Sequence, residues 1–272
     1  MSTATYVSNR AGDGKVTLPR VVTSEWIKFR SLRSSWITLV VAAGLTVGFG
    51  ALFCWATMSR WDRLPADERL AFTPAEHSLR GFFLAQMAIG VLGVLVVTGE
   101  YSTGMIRASL SAVPKRLPVL WAKALVFGAV TWVVATVSCL VAFFVGQSIL
   151  AGKHLDTTLS APGVTRVVLG MGLYLTAIGL LAVALGTLIR NTAGGIASVF
   201  GLLLVLPVLA EALPSSWQQN ISPYLPSNAG QAVTHITQEP HMMAPWSGFG
   251  LLCGYVVVAL IAAAAVLKRR DA

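Results

Sequence analysis

Six stretches of this chain run for 18 to 23 residues without a single Asp, Glu, Lys or Arg: 36–58, 81–98, 124–146, 167–189, 193–210 and 248–267. A helix needs about 20 apolar residues to cross the hydrocarbon core of a bilayer. Repetition at that length leaves little room for a water-soluble fold, because only 11% of residues are charged against about 25% in an ordinary soluble domain. The sequence therefore predicts an all-α polytopic membrane protein with six transmembrane helices. The second and fifth runs are short and call for local thinning or anchoring by flanking residues. Residues 1–20, polar and containing glycine, are expected to form a disordered cytoplasmic tail, and 21–272 a single six-helix domain.

The net charge of +9 does not indicate a nucleic-acid binder, since no polar, Lys/Arg-studded domain carries it. The basic residues lie between the apolar runs, where they set orientation. With the N-terminus inside, fourteen Lys and Arg face the cytoplasm and six face out, so both termini are expected in the cytoplasm of a cell-membrane protein. No apolar core precedes a cleavage-like site in the first 35 residues, so no removable signal peptide is expected. Cys54, Cys139 and Cys253 sit inside apolar runs without metal-like spacing and read as small buried hydrophobes.

Two segments flanking the first spans carry more pattern than a tether requires. In Thr23 to Arg33, the residues Val22, Trp26, Phe29, Leu32 and Trp36 recur at helical spacing, while Lys28, Arg30 and Arg33 supply positive charge. Thr23 or Ser24 can cap this helix and Glu25 suits its N-terminal end. The pattern predicts an amphipathic helix lying in the membrane interface. Between the second and third spans, Met105, Ile106, Leu110 and Val113 form an apolar helix face that Pro114 ends. An exposed face of that kind needs a partner surface. Glu100 stands at the membrane boundary, where an ionised carboxylate calls for a counter-charge; Arg107 and Lys123 are the candidates. In the last outer loop, 211–247, aromatics and prolines suit short interfacial helices, one of them capped by Ser227 or Asn228 and running through Val233.

No catalytic constellation is present. Gly12-Asp13-Gly14-Lys15 lacks the phosphate-cradling loop pattern, and neither a zinc-protease helix nor a nucleophile elbow occurs. Carriers driven by ion gradients keep ionisable residues near the midplane. These spans hold only mild polar groups: Gln86, Thr131, Thr136, Ser138, Thr176 and Thr187. The pairs Gly44/Gly48 and Gly250/Gly254 have the spacing that lets helices approach closely. His235, Glu239 and His241 are too few for more than a weak metal pattern.

Taken together, Glu25-Trp26-x-Lys28-x-Arg30-Ser31-Leu32-Arg33-Ser34-x-Trp36, Thr98-Gly99-Glu100-Tyr101-Ser102-Thr103-Gly104-Met105-Ile106-Arg107 and Tyr224-Leu225-Pro226-Ser227-Asn228-Ala229-Gly230-Gln231-Ala232 resemble permease subunits of actinobacterial type-two ATP-binding-cassette (ABC) exporters. The resemblance runs from about Val21 to the C-terminus. It implies that Glu25, Trp26, Lys28, Phe29, Arg30 and Arg33 belong to a connecting helix along the inner leaflet. It implies equally that Glu100, Tyr101, Gly104, Met105, Ile106, Arg107 and Leu110 couple the permease to a separate ATPase. The implied assembly is two permeases and two ATPases, with ATP and Mg bound in the ATPases and no cofactor, metal or catalytic residue in this chain. The cargo is left open. The rival readings are an ATP-independent secondary carrier and a membrane scaffold or sensor that transports nothing.

Overall fold

The computed structural model describes residues 17–106, 116–237 and 242–269. The tail before Thr17, together with Arg107, Leu110, Val113, Glu239 and His241, lies outside the described residues. The helices in chain order are α1 Leu18–Ser31, α2 Arg33–Arg60, α3 Ala66–Leu70, α4 Pro74–Leu79, α5 Phe82–Ser102 and α6 Leu117–Leu150. They continue as α7 Val164–Ile189, α8 Thr192–Phe200, α9 Leu206–Glu211, α10 Ser215–Ile221, α11 Pro226–Gln231 and α12 Pro245–Arg269. No strand occurs among the described residues.

Among the described residues, six helical stretches are long and apolar enough to cross a membrane: Arg33–Arg63, Pro74–Ser102, Leu117–Lys153, Val164–Ile189, Thr192–Glu211 and Pro245–Arg269. Each covers one of the six uncharged runs. The second is not short, because α4 leads into α5 and begins it at Pro74, whose missing N–H is no loss in a first turn. The fifth spans 20 residues and contains a π-helical turn, Gly201–Val205, joining α8 to α9. Pro207 follows directly; its ring has no N–H to donate and crowds the preceding turn, and a widened turn relieves both.

α7 is the centre of the bundle. It packs against α5, α6, α8 and α12, while α2 lies in the groove between α5 and α6. Tyr174 on α7 is fully buried and donates its hydroxyl hydrogen to Gln86 Oε1 at 2.6 Å. Gln231 Nε2 reaches the same hydroxyl at 3.3 Å, so these polar groups satisfy one another inside an apolar core.

Close approach of α5 and α7 depends on glycine. A Cβ at Gly93 would lie 2.5 Å from the Gly179 carbonyl oxygen and 2.9 Å from the Ala182 Cβ. Gly93→Leu is expected to destabilise the bundle by about 1–3 kcal/mol through overpacking, read as a lower melting temperature of the detergent-solubilised chain; an unchanged melting curve would contradict this crossing. The pairs Gly44/Gly48 and Gly250/Gly254, by contrast, have nothing within 4 Å of a Cβ position. Close packing inside the chain therefore uses other glycines.

The described part of the loop between the fifth and sixth spans is built into the bundle rather than laid across it. Ala229, Ala232 and Val233 are fully buried, and α11 packs on α12. The helix begins at Pro226, one or two residues ahead of the expected caps. Ser227 is inside it and buried, and Asn228 Nδ2 donates to the Ser222 carbonyl at 3.0 Å. Proline at the first helical position has already removed the N–H that a side-chain cap would serve. Glu76 on α4 then clamps the loop, accepting from the Ile236 N–H at 2.6 Å and lying 3.2 Å from His235 Nδ1.

At the opposite end a second, smaller core joins Val21 of α1, Ile106, Val119 and Leu120 of α6, and Ala263 and Leu267 of α12. The N-terminal helix and the end of the last span therefore lie at the same end of the bundle.

Candidate functional site

That end holds a cluster of four charged side chains, three of them buried. α1 starts at Leu18 with Pro19 in its first turn, so Glu25 falls in mid-helix rather than at a helix end. Thr23 does not cap; its Oγ1 donates back to the Pro19 carbonyl at 3.0 Å. The face of α1 turned to the bundle is Val21, Glu25 and Phe29, residues four apart and hence stacked on one side. The expected apolar face is thereby corrected. Phe29 is on the buried side, edge-on to Trp36 and Phe127, whereas Trp26 and Leu32 are exposed and Val22 is partly buried. Arg30 and Arg33 are exposed as well, consistent with cationic groups directed to headgroups or water.

Glu25 belongs inside because two ammonium groups meet it. Lys123 Nζ, on α6, lies 2.7 Å from Glu25 Oε2 and 2.8 Å from Glu100 Oε1. Lys28 Nζ lies 2.7 Å from Glu25 Oε1 and 3.3 Å from Glu100 Oε1. Two carboxylates and two ammonium groups make a set without net charge, which lowers the cost of burying it. Relative exposure is 4% for Glu25, 9% for Glu100 and 6% for Lys123. Of the two partners expected for Glu100, Lys123 is thus confirmed by contact. The engagement of Glu25 and Lys28 was not legible, since both sit where a helix-end charge and a solvated cation are ordinary. A carboxylate spaced four residues from two apolar positions was the one available hint.

Burial would raise the Glu25 carboxyl, but Lys123 and Lys28 more than offset it and hold the group below its ordinary value. Burial would likewise lower Lys28, and Glu25 and Glu100 hold it above its ordinary value. A depressed carboxylate contributes stability that is present above its ordinary range and lost as pH falls through the folded value. A raised lysine contributes stability that is present below its ordinary range and lost as pH rises through the folded value. The contact of α1 with the bundle is therefore expected to loosen at both acid and strongly alkaline pH. A fluorophore on exposed Thr23 should report it; identical mobility from pH 3 to pH 7 would contradict the acid arm.

α5 ends just beyond Glu100. Tyr101 is half-buried with the Arg190 guanidinium 5.4 Å from its ring centre. Gly104 has φ +72 and open space around it, a left-handed conformation that costs other L-residues about 1–2 kcal/mol. Gly104→Val is expected to disorder this turn, measured as faster amide exchange over 99–106; unchanged exchange would contradict the assignment. Met105 is 50% exposed, but Ile106 is 7% exposed and held in the small core with Val21 and Leu267. The expected exposed face is corrected at Ile106: beyond the left-handed turn at Gly104, Met105 faces out and Ile106 faces in. Beside the charge cluster a cavity of about 480 Å³ opens between α1, α5 and α6, with Phe29, Leu32, Leu95 and Val96 in its walls.

Among the described residues no group of His, Cys, Asp and Glu is arranged to hold a metal ion; His235 instead faces Glu76. No curated protein matches the chain. Residues 21–210 match the family described as ABC-2 family transporter protein, a stretch that starts at the first buried residue of α1 and ends with the fifth span.

Proposed function

The chain belongs to the ABC-2 family of transporter proteins, and from that premise we propose that it is the membrane-spanning permease subunit of an ATP-driven exporter in the cell membrane. A separate ATP-binding subunit, carrying ATP and Mg, supplies the energy, and two permease copies complete the pathway. The family match supports the permease role, and the charge cluster supports the coupling route.

The turn after α5 is the element through which a partner would act. It leads from a half-exposed Met105 to Glu100, and from Glu100 through paired charges to α1 and α6. A force applied there reaches three helices through contacts of 2.7–3.3 Å. Arg107 and Leu110 continue the same segment in sequence and are assigned to the docking surface with it. The excess of Lys and Arg at this end supports a cytoplasmic assignment for it and for both termini. Trp26 and Leu32, turned away from the bundle, are suited to the inner-leaflet interface.

The deciding experiment is gentle extraction, affinity capture of the chain and identification of co-purifying proteins, with ATPase activity assayed in the eluate. A stoichiometric ATPase whose retention depends on Met105 is expected. Capture of an intact chain with no ATPase would favour a self-sufficient carrier or a scaffold.

A further inference from the structure

At the other end of the bundle a second cavity, of about 330 Å³, has apolar walls of Phe53, Phe82, Phe83 and Met171 and polar groups from Arg80 and Gln231. It is separated from the Glu100 end by the length of α5, about 27 Å from Phe82 to Glu100 at the helical rise. Cavities of this size with mainly apolar walls and a few placed polar groups are typical ligand sites.

The charges in it are unequally used. Glu76 and His235 also line the cavity, but Glu76 already has the Ile236 N–H at 2.6 Å on one oxygen and His235 Nδ1 at 3.2 Å from the other. Arg80 has no acidic partner among the described residues. Its guanidinium lies 5.6 Å from the ring centre of Phe53, which orients the fork while leaving its N–H groups to donate. Arg80 is exposed, and Phe83 and Phe53 are 54% and 38% exposed, so the cavity opens along an apolar rim. A planar five-donor cation matches a phosphate or carboxylate, and the aromatic walls match a hydrocarbon chain.

We propose that this cavity binds an anionic amphiphile, with its phosphate or carboxylate head on Arg80 and its chain along Phe53, Phe82 and Phe83. The site is independent of the coupling assignment, since it shares no residue with the charge cluster.

The test uses the full chain in phosphatidylcholine nanodiscs and two photoreactive lipids with identical diazirine chains, one a phosphatidic acid and the other a phosphatidylcholine. The phosphatidic acid is expected to label peptides carrying Phe53 and Phe83 about tenfold more strongly, because its phosphomonoester offers Arg80 a net negative head whereas the phosphate of phosphatidylcholine is already balanced by its own choline. Arg80→Gln, at an exposed position, should abolish the preference, and Arg80→Lys should retain part of it. Equal labelling by the two lipids, or a preference that survives Arg80→Gln, would overturn the proposal. Inorganic phosphate distinguishes the source of the anion: weak competition supports an amphiphile, whereas competition equal to that of phosphatidic acid reduces the site to a plain anion seat and overturns it.

Discussion

Lys123→Met is expected to lower the stability of the folded chain by about 3–5 kcal/mol, the usual cost of removing one partner from a buried ion pair. Lys123 alone joins Glu25 of α1 to Glu100 of α5 with both distances under 3 Å. Without it, two carboxylates share only Lys28, whose side chain is 25% exposed. The melting temperature of the solubilised chain should fall by roughly 2–4 °C for each kcal/mol in a chain of this size. Glu25→Met should act similarly, because it leaves Lys123 with one carboxylate to share. The double substitution should cost much less than the sum of the two, since Glu100 and Lys28 then remain as a balanced pair. Additive losses would mean that the four charges do not act as one unit.

The second large effect separates two adjacent residues. Met105→Asp is expected to cut ATPase co-purification and transport at least about tenfold while leaving the melting curve intact, because truncating or charging the centre of a docking surface commonly costs more than 1.4 kcal/mol. Ile106→Asp places a carboxylate among the buried apolar side chains of Val21, Val119, Leu120 and Leu267. Its main effect should be lost stability, with α1 and α12 loosened from the end of α6. From sequence, Met105 and Ile106 shared one exposed apolar face; their opposite burial in the structure splits them. If Met105→Asp leaves capture and transport unchanged, the docking assignment fails, whatever happens at Ile106.

Much of the fold was legible because bilayer thickness imposes a length on each span, and uncharged runs of that length are hard to miss. Their ends were less so. α5 and α6 continue through Glu100 and Lys123, and charge was taken as a boundary where pairing had made it part of the helix. The same error hid the face of α1. Hydrophobic spacing favoured Val22, Trp26, Phe29 and Leu32, but two lysines made Glu25 the better buried residue and rotated the helix accordingly. Glu76 and Arg80 gave no signal either, since their partners lie 159 and 160 residues away or are an aromatic ring on another helix. Sequence periodicity reports burial of apolar groups, and it is silent on charges that meet only after folding.

α6 runs unbroken for 34 residues, about 51 Å at the helical rise, longer than the roughly 40–45 Å of a bilayer with its headgroups. Lys123 stands near one end. Gln147 stands near the other, donating to Ser78 Oγ at 2.8 Å and accepting from the Thr157 N–H at 2.7 Å. The two are about 36 Å apart along one rod. A tilt of about 5° around its midpoint would carry each end some 1.5 Å in opposite directions, comparable to the 1–2 Å helix shifts of many switching proteins. α6 thus has the shape of a see-saw, loaded by ionic contacts at one end and by neutral hydrogen bonds at the other.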